Sequence, residues 1–167
     1  MSQGRELRCY DYVNRPYVEV RDALYADAHG IFARATNAAA SRANALVAQL
    51  HVRLGAIAVA ADVDIKVLAA EATASPFGTK ATRFALEWQS AHSPGLFPAM
   101  KAWLTVYALS SSETQLDFEG LYDPPLGLIG DAVDALLGRR IAEACVLRFV
   151  QDVAELLRHE MAQVQRC

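Results

Sequence analysis

The sequence has little that could staple the chain or mark it for a special chemistry. Its three cysteines, Cys9, Cys145 and Cys167, are odd in number and widely spaced, with no CxxC pair. That argues against a disulfide framework. Cys145 falls on the apolar side of a helical pattern and reads as a small buried hydrophobe. There is no basic excess, since the formal net charge is −3. A general nucleic-acid surface is therefore not expected, and Arg139-Arg140 is too short a basic run to change that. No stretch approaches the roughly 20 apolar residues of a membrane span. Met1 to Arg8 carries charges without an apolar signal core, so the expected compartment is the cytoplasm.

Motifs of catalysis and phosphate binding are absent too: GxSxG, the P-loop and GxGxxG do not occur. Gly120-Leu121-Tyr122 has no glycine-rich turn leading into a helix, so it is no phosphate cradle. No motif implies a cofactor. His29, His51, His92 and His159 lack HxxxH or HExxH spacing, and no metal site is expected. Asp62 and Asp64 share a strand face. They sit on the polar parity beside Lys66 and read as a solvated face rather than acid/base carboxylates.

What is present is ordinary globular material. The 167 residues, 53% hydrophobic and 21% charged, fit a single domain spanning 1–167. A chain of this size buries about 70% of its unfolded surface and needs no staple. Arg8 to Asn14 reads as a strand, broken by Asn14-Arg15-Pro16, with Pro16 suited to the first turn of a helix. Val20 and Leu24 follow at i, i+4. Ile31, Phe32 and Ala35 carry a weaker helical period after an expected break near His29-Gly30. From Val47 the period reads as two: Leu50, Val52, Leu54, then Val63, Ile65, Val67, with a hairpin tip near Ala60-Ala61-Asp62. Three further runs alternate in the same way. They are Phe84, Leu86, Trp88; Met100, Ala102, Leu104, Val106; and Leu116, Phe118, Gly120, Tyr122. Turns fall at Ser75-Pro76-Phe77-Gly78, Ser93-Pro94-Gly95 and Ser110-Ser111-Ser112-Glu113.

One apolar and one polar parity predict an antiparallel sheet covered on one face. The cover is a helix over about Leu128 to Val164, roughly 55 Å long at 1.5 Å per residue. Its i+4 row is Ile129, Val133, Leu137, Ile141, Cys145, Phe149, Val153, Leu157 and Met161. Leu136, Ala144 and Leu156 widen the row. Asp131, Asp134, Glu143, Asp152, Glu155 and Arg158 lie opposite. Gly138 is a place for a bend.

Two segments resemble a known superfamily. Val13-Asn14-Arg15-Pro16 with Val20 and Leu24 is similar to the strand-to-helix corner of helix-grip proteins. Gly120-Leu121-Tyr122-Asp123-Pro124-Pro125-Leu126-Gly127, followed by Asp131 and Asp134, resembles the approach to their terminal helix. The order of elements resembles the SRPBCC (START-like) superfamily, in its polyketide cyclase/dehydrase-like branch, over nearly the whole chain. The resemblance implies an α+β helix-grip fold. About six antiparallel strands would wrap on a long C-terminal helix, with two short helices after the first strand. It also implies a cavity between sheet and helix, but no common reaction.

Within that frame the expected cavity lining is Phe84, Trp88, Met100, Leu104, Phe118 and Tyr122 from the sheet, and Val133, Leu137 and Ile141 from the helix. Buried Trp88 and Tyr122 would each need a partner for a polar tip. Asp11 depends on strand parity. If Tyr10 and Tyr12 face inward, the reading adopted, Asp11 is solvated. If Val13 faces inward, Asp11 joins the cup as a polar handle or acid. Three functions are compatible. One is binding of a hydrophobic small molecule, lipid- or polyketide-like. The second is a cyclase/dehydratase-like enzyme using Tyr122, Trp88 and Asp11. The third is a co-chaperone-like interaction module. Trp103 and Tyr107 lie on the opposite parity, where an aromatic patch implies a homodimer through the outer sheet face.

Overall fold

A computed structural model describes residues 5–54, 63–90, 100–122 and 132–164, without the side chains of 40, 42–54, 63, 89–90, 132–138, 141 and 164. The elements are β1 (Arg5–Val13), α1 (Tyr17–Leu54), β2 (Val63–Ala74), β3 (Lys80–Ser90), β4 (Met100–Ala108), β5 (Thr114–Tyr122) and α2 (Ala132–Val164). The strands form one antiparallel sheet in the order β1-β5-β4-β3-β2. The architecture is α+β, with the terminal helix over one face of the sheet, as expected. The described strand count is five rather than six, and one kinked helix of 38 residues, α1, stands where two short helices were expected.

The missing strand is the one read into Leu50, Val52 and Leu54. That stretch is helical, because α1 continues to Leu54. The residues from Ala38 to Leu54 are rich in alanine, leucine and arginine, good helix formers, and the helix already under way overrides a short alternation. The turns expected at Ala60-Ala61-Asp62 and Ser93-Pro94-Gly95, and the Asp123-Pro124-Pro125 segment, lie outside the described residues. So do Ile129 and Asp131.

The break in α1 falls at Asp27 (φ −149°, ψ 52°) rather than at His29-Gly30. Asp27 acts as an N-cap for the second half of α1, its Oδ1 accepting the Gly30 N–H at 3.0 Å. A Cβ on Gly30 would lie 2.3 Å from Asp27 Oδ2. The glycine therefore permits the cap instead of being the break. At the start of α1, Pro16 O accepts the Val20 N–H at 3.2 Å. Thr114 Oγ1 of β5 donates to Arg15 O at 2.8 Å and fixes the corner.

Strand parity sorts the sheet as the alternation requires. Cross-strand pairs share a face, and the inner rows run Cys9–Phe118–Leu104–Phe84 and Leu7–Gly120–Ala102–Leu86. Apart from Cys9, which is half-buried, these positions are buried. The α2 row is buried at Cys145, Phe149, Val153, Leu157 and Met161. A second row, Ala142, Val146, Val150 and Ala154, is buried beside it, while Ala144 and Leu156 stay half-buried. Asp152, expected on the wet side, is buried with its Oδ2 accepting from Arg148 Nε at 3.0 Å. Arg34 Nη2 reaches Glu160 Oε1 at 2.5 Å and ties α1 to α2. No helix among the described residues is long and apolar enough to cross a membrane.

Phe149 is fully buried and within ring contact of α1, β3 and β5. Phe149→Ala should lose about 3–5 kcal/mol of unfolding free energy. Urea denaturation will measure the shift in midpoint, with the m-value unchanged if only packing is lost.

Candidate functional site

The inner face of the sheet is an aromatic surface built from alternate strand positions. Trp88 of β3 stacks on Phe118 of β5 at 5.7 Å between ring centroids and 24° between planes. Phe149 of α2 meets Trp88 edge-on at 4.8 Å and Phe118 at 5.9 Å. Phe32 of α1 closes the cluster against Phe84 at 5.7 Å and Phe149 at 6.0 Å. Edge and offset contacts of this kind suit the ring quadrupoles and hold each ring at a defined angle.

The structure brings together the six sheet residues expected to line the cavity. Phe84, Trp88, Met100, Leu104, Phe118 and Tyr122 are all buried on the inner face. The side chains of Val133, Leu137 and Ile141 lie outside the described residues. Phe32 and Phe149 belong to the same cluster without having been assigned to it. Phe149 was legible in the helical row, and Phe32 in the weaker period of α1. Thr36 is a further member with no sequence signal. Its hydroxyl oxygen accepts from Trp88 Nε1 at 3.1 Å in the core, which supplies the partner the indole needs.

Tyr122 is different. It is 2% exposed, and its Oη has no hydrogen-bond partner among the described residues. A buried hydroxyl left unpaired costs about 1–3 kcal/mol. It lies on the row Tyr122–Met100–Trp88–Ile65. This is the end of the sheet from which the connections 55–62, 91–99 and 123–131 depart. The opposite end is closed by the tight β2–β3 and β4–β5 turns. Beside Tyr122, a Cβ on Gly120 would lie 2.8 Å from Met100 Sδ and 2.9 Å from Phe118 Cε1. Glycine at that position lets Met100 and Phe118 close over the strand.

Asp11 shares the inner parity of β1 with Leu7, Cys9 and Val13 and is half-buried against α2. Val13 and Leu7 face inward and are buried, so Tyr10 and Tyr12 are outside, at 69% and 48% exposure. The inward orientation expected for the two tyrosines is corrected. β1 is an edge strand, and its inner parity meets α2, where Leu7 and Val13 pack. The phenol rings reach water on the other side. Asp11 Oδ1 accepts its neighbour's N–H, from Tyr12, at 2.8 Å. Arg158 Nη2 lies 3.8 Å from that carboxylate and donates to Tyr12 O at 2.6 Å. Asp11 therefore clamps the end of β1 to α2.

On the outer face, Trp103 is 38% exposed but Tyr107 only 3%. Phe77, in the β2–β3 turn, folds over Tyr107 with ring centroids 6.2 Å apart. The aromatic patch expected at Trp103 and Tyr107 is thus partly covered within the chain. Of the expected acid pair, Asp64 is exposed and Asp62 lies outside the described residues. Among the described residues, no three His, Cys, Asp or Glu side chains are grouped to hold a metal ion.

No protein-family model matches the sequence, and no curated protein matches it. Its fold is similar to that of the Zhui aromatase/cyclase from Streptomyces sp. R1128. The TM-score is 0.54 at 11% identity, covering 94% of this chain and 95% of that one. A protein of Thermus thermophilus gives 0.44 at 12% identity, over 91% and 99% of the two chains. The di-domain ARO/CYC StfQ from the steffimycin biosynthetic pathway gives 0.43 at 12% identity over 96% of this chain, which spans about half of it (53%). The likeness supports the architecture expected from the sequence, an antiparallel sheet covered by a long terminal helix. At this identity the likeness defines an architecture and not a reaction.

Cys9 is half-buried on the inner parity of β1. Burial pushes its thiol up to about 12, with the carboxylates of Asp117 and Asp11 adding to the effect. The thiolate is the reactive form. Alkylation of Cys9 by iodoacetamide at pH 8 should therefore run about a hundredfold or more slower in the folded than in the unfolded protein. Peptide mapping will separate it from Cys145 and Cys167. The folded value lies above the ordinary value of 9.0, so the stability it contributes is complete below pH 9 and is lost as pH rises towards 12.

Proposed function

We propose that the protein binds an apolar small molecule of lipid or polyketide character, held between the concave face of the sheet and α2. The observation that carries this reading is the buried Tyr122 hydroxyl, unpartnered among the described residues, at the edge of an aromatic surface. Ligand sites are concave and mostly apolar, with a few polar groups that fix orientation. Tyr122 Oη is such a group: it donates to a carbonyl or phenol oxygen, or accepts from a hydroxyl. Trp88, Met100, Phe84, Leu104 and Phe118 would supply the apolar contact, and Val133, Leu137 and Ile141 the wall on α2.

A second reading is a cyclase- or dehydratase-like enzyme. The likeness of the fold to an aromatase/cyclase along nearly the whole chain favours it. Tyr122 would then polarise a ketone oxygen of the substrate, and turnover of a poly-β-ketone would separate this reading from simple binding.

Native mass spectrometry of the purified protein should show an apolar organic adduct. The chain has two tryptophans, so a Trp103→Phe background leaves Trp88 as the sole indole reporter. Titrated with 2-naphthol, that protein should lose Trp88 fluorescence saturably. Tyr122→Phe in the same background should weaken binding by about 2–10-fold, the value of one neutral hydrogen bond. Its unfolding free energy should stay level or rise, since a buried unpaired hydroxyl is removed. Absence of both an adduct and saturable quenching would eliminate the binding reading.

A further inference from the structure

The inner face of the sheet is crowded with rings, yet two adjacent positions on it carry almost no side chain. Gly120 of β5 and Ala102 of β4 lie opposite each other in the register, and both are buried. The space a larger residue would fill there is taken from the neighbouring row. A Cβ on Gly120 would lie 2.8 Å from Met100 Sδ and 3.4 Å from Met100 Cγ. The Met100 side chain therefore leans along the sheet and covers the bare α-carbon of Gly120. Its own row is Tyr122–Met100–Trp88, so Met100 stands between the Tyr122 phenol and the Trp88 indole.

The rings around Met100 are held, and Met100 is not. Trp88 stacks on Phe118, meets Phe149 edge-on and donates its indole N–H to Thr36. Phe118 is in ring contact with Trp88 and Phe149. Met100 has no polar tether, and an unbranched thioether adapts readily to a change in the space around it. Tyr122 and Met100 are each 2% exposed and Trp88 1%, so a ligand atom reaches the phenol only when a neighbouring group moves. Of these neighbours Met100 moves at the least cost, because Trp88 would have to give up both its stacking and its hydrogen bond.

We propose that Met100 is the specificity-determining residue of the ligand site, and that the ligand is an oxygen-bearing arene whose ring edge replaces the thioether over Gly120. This deepens the binding reading and rests on it. The place over Gly120 is bounded by backbone on one side and by the edge of Phe118 on another, with Phe118 Cε1 2.9 Å from where a Cβ would stand. A planar ring fits that boundary and gains edge and face contacts that suit the ring quadrupoles. A saturated chain gains none of them. An oxygen on the ring lies towards the row of Tyr122, whose hydroxyl donates to it or accepts from it. The displaced Met100 side chain then stands against the ring and limits its length, so size is the selected property.

The protein has three methionines, Met1, Met100 and Met161. In protein labelled with 13C at the methionine methyl carbon, the Met100 signal is assigned by its loss in Met100→Leu. It should move saturably as 2-naphthol is added, in step with the quenching of Trp88. The Met161 signal should stay in place, since Arg158, within one turn of it on α2, bonds to Tyr12 O at the opposite end of the sheet. Met100→Ala removes the limit on length. The affinity for 9-phenanthrol, one ring larger, relative to that for 2-naphthol should then rise about tenfold or more. Saturable quenching with an unmoved Met100 signal would overturn this inference and leave the binding reading standing. So would an unchanged affinity ratio in Met100→Ala. Absence of both quenching and a methyl shift would remove the two together. The methyl titration is made with Met100 in place, so it decides the question even if Met100→Ala does not fold.

Discussion

Phe149 stands where every layer of the fold meets. Its ring touches Phe32 of α1, Trp88 of β3 and Phe118 of β5. Each of these partners is itself fixed by another contact. Trp88 stacks on Phe118 and donates to Thr36, and Phe32 abuts Phe84. Two helices and the sheet share one aromatic centre, and the terminal helix is the element that brings them together. A sheet of five strands with one apolar face has no stability of its own in water until that face is covered. The packing of α2 on the sheet is thus the condition for the inner aromatic face to be buried.

The ends of this surface differ physically. At one end Ser75–Thr79 and Leu109–Glu113 turn tightly, with main-chain and side-chain hydrogen bonds that satisfy the turns. The Tyr17 and Thr82 hydroxyls hydrogen-bond to each other at 2.8 Å and close α1 onto β3. At the other end lies Tyr122, the buried hydroxyl that lacks a described partner. Polar groups inside the molecule are mostly paired, with Trp88 on Thr36 and Asp152 on Arg148. Among the described residues, Arg83 Nε and Tyr122 Oη are the buried side-chain polar atoms left without a partner, and the proposed ligand would supply one for the phenol.

The outer face and the edges follow a separate logic. Rows of alternating charge, such as Lys66–Glu87–Lys101 and Arg8–Glu119, run across the strands. They keep the open face wet and unsuited to stacking on another sheet. Burial raises the Asp117 carboxyl above its usual range, and Arg8 works against that shift. Exposed apolar side chains are spread over the surface, with Tyr10 and Tyr12 on β1, Tyr25 on α1, Leu68 on β2, Phe77 in the β2–β3 turn and Leu147 on α2.

Much of this was legible in the sequence, because period-two and i+4 patterns report directly on which side of an element is buried. β3, β4, β5 and the α2 row could be read in that way. So could the six sheet residues that share the concave face, since strand parity leaves only two choices. Parity alone could not choose for β1, where Tyr, Cys, Asp and Val alternate without a clear apolar side. Only the register with β5 and the packing of Leu7 and Val13 under α2 turned the tyrosines outward. Residues 50–54 misled for the opposite reason. A run of five carries too few periods to outweigh the helix continuing through it. The covering of Tyr107 by Phe77 and the pairing of Trp88 with Thr36 join residues 30 or more positions apart, and the Tyr122 hydroxyl is singled out by lacking a partner among the described residues. Local periodicity carries no information about such distances, and tertiary packing alone decided them.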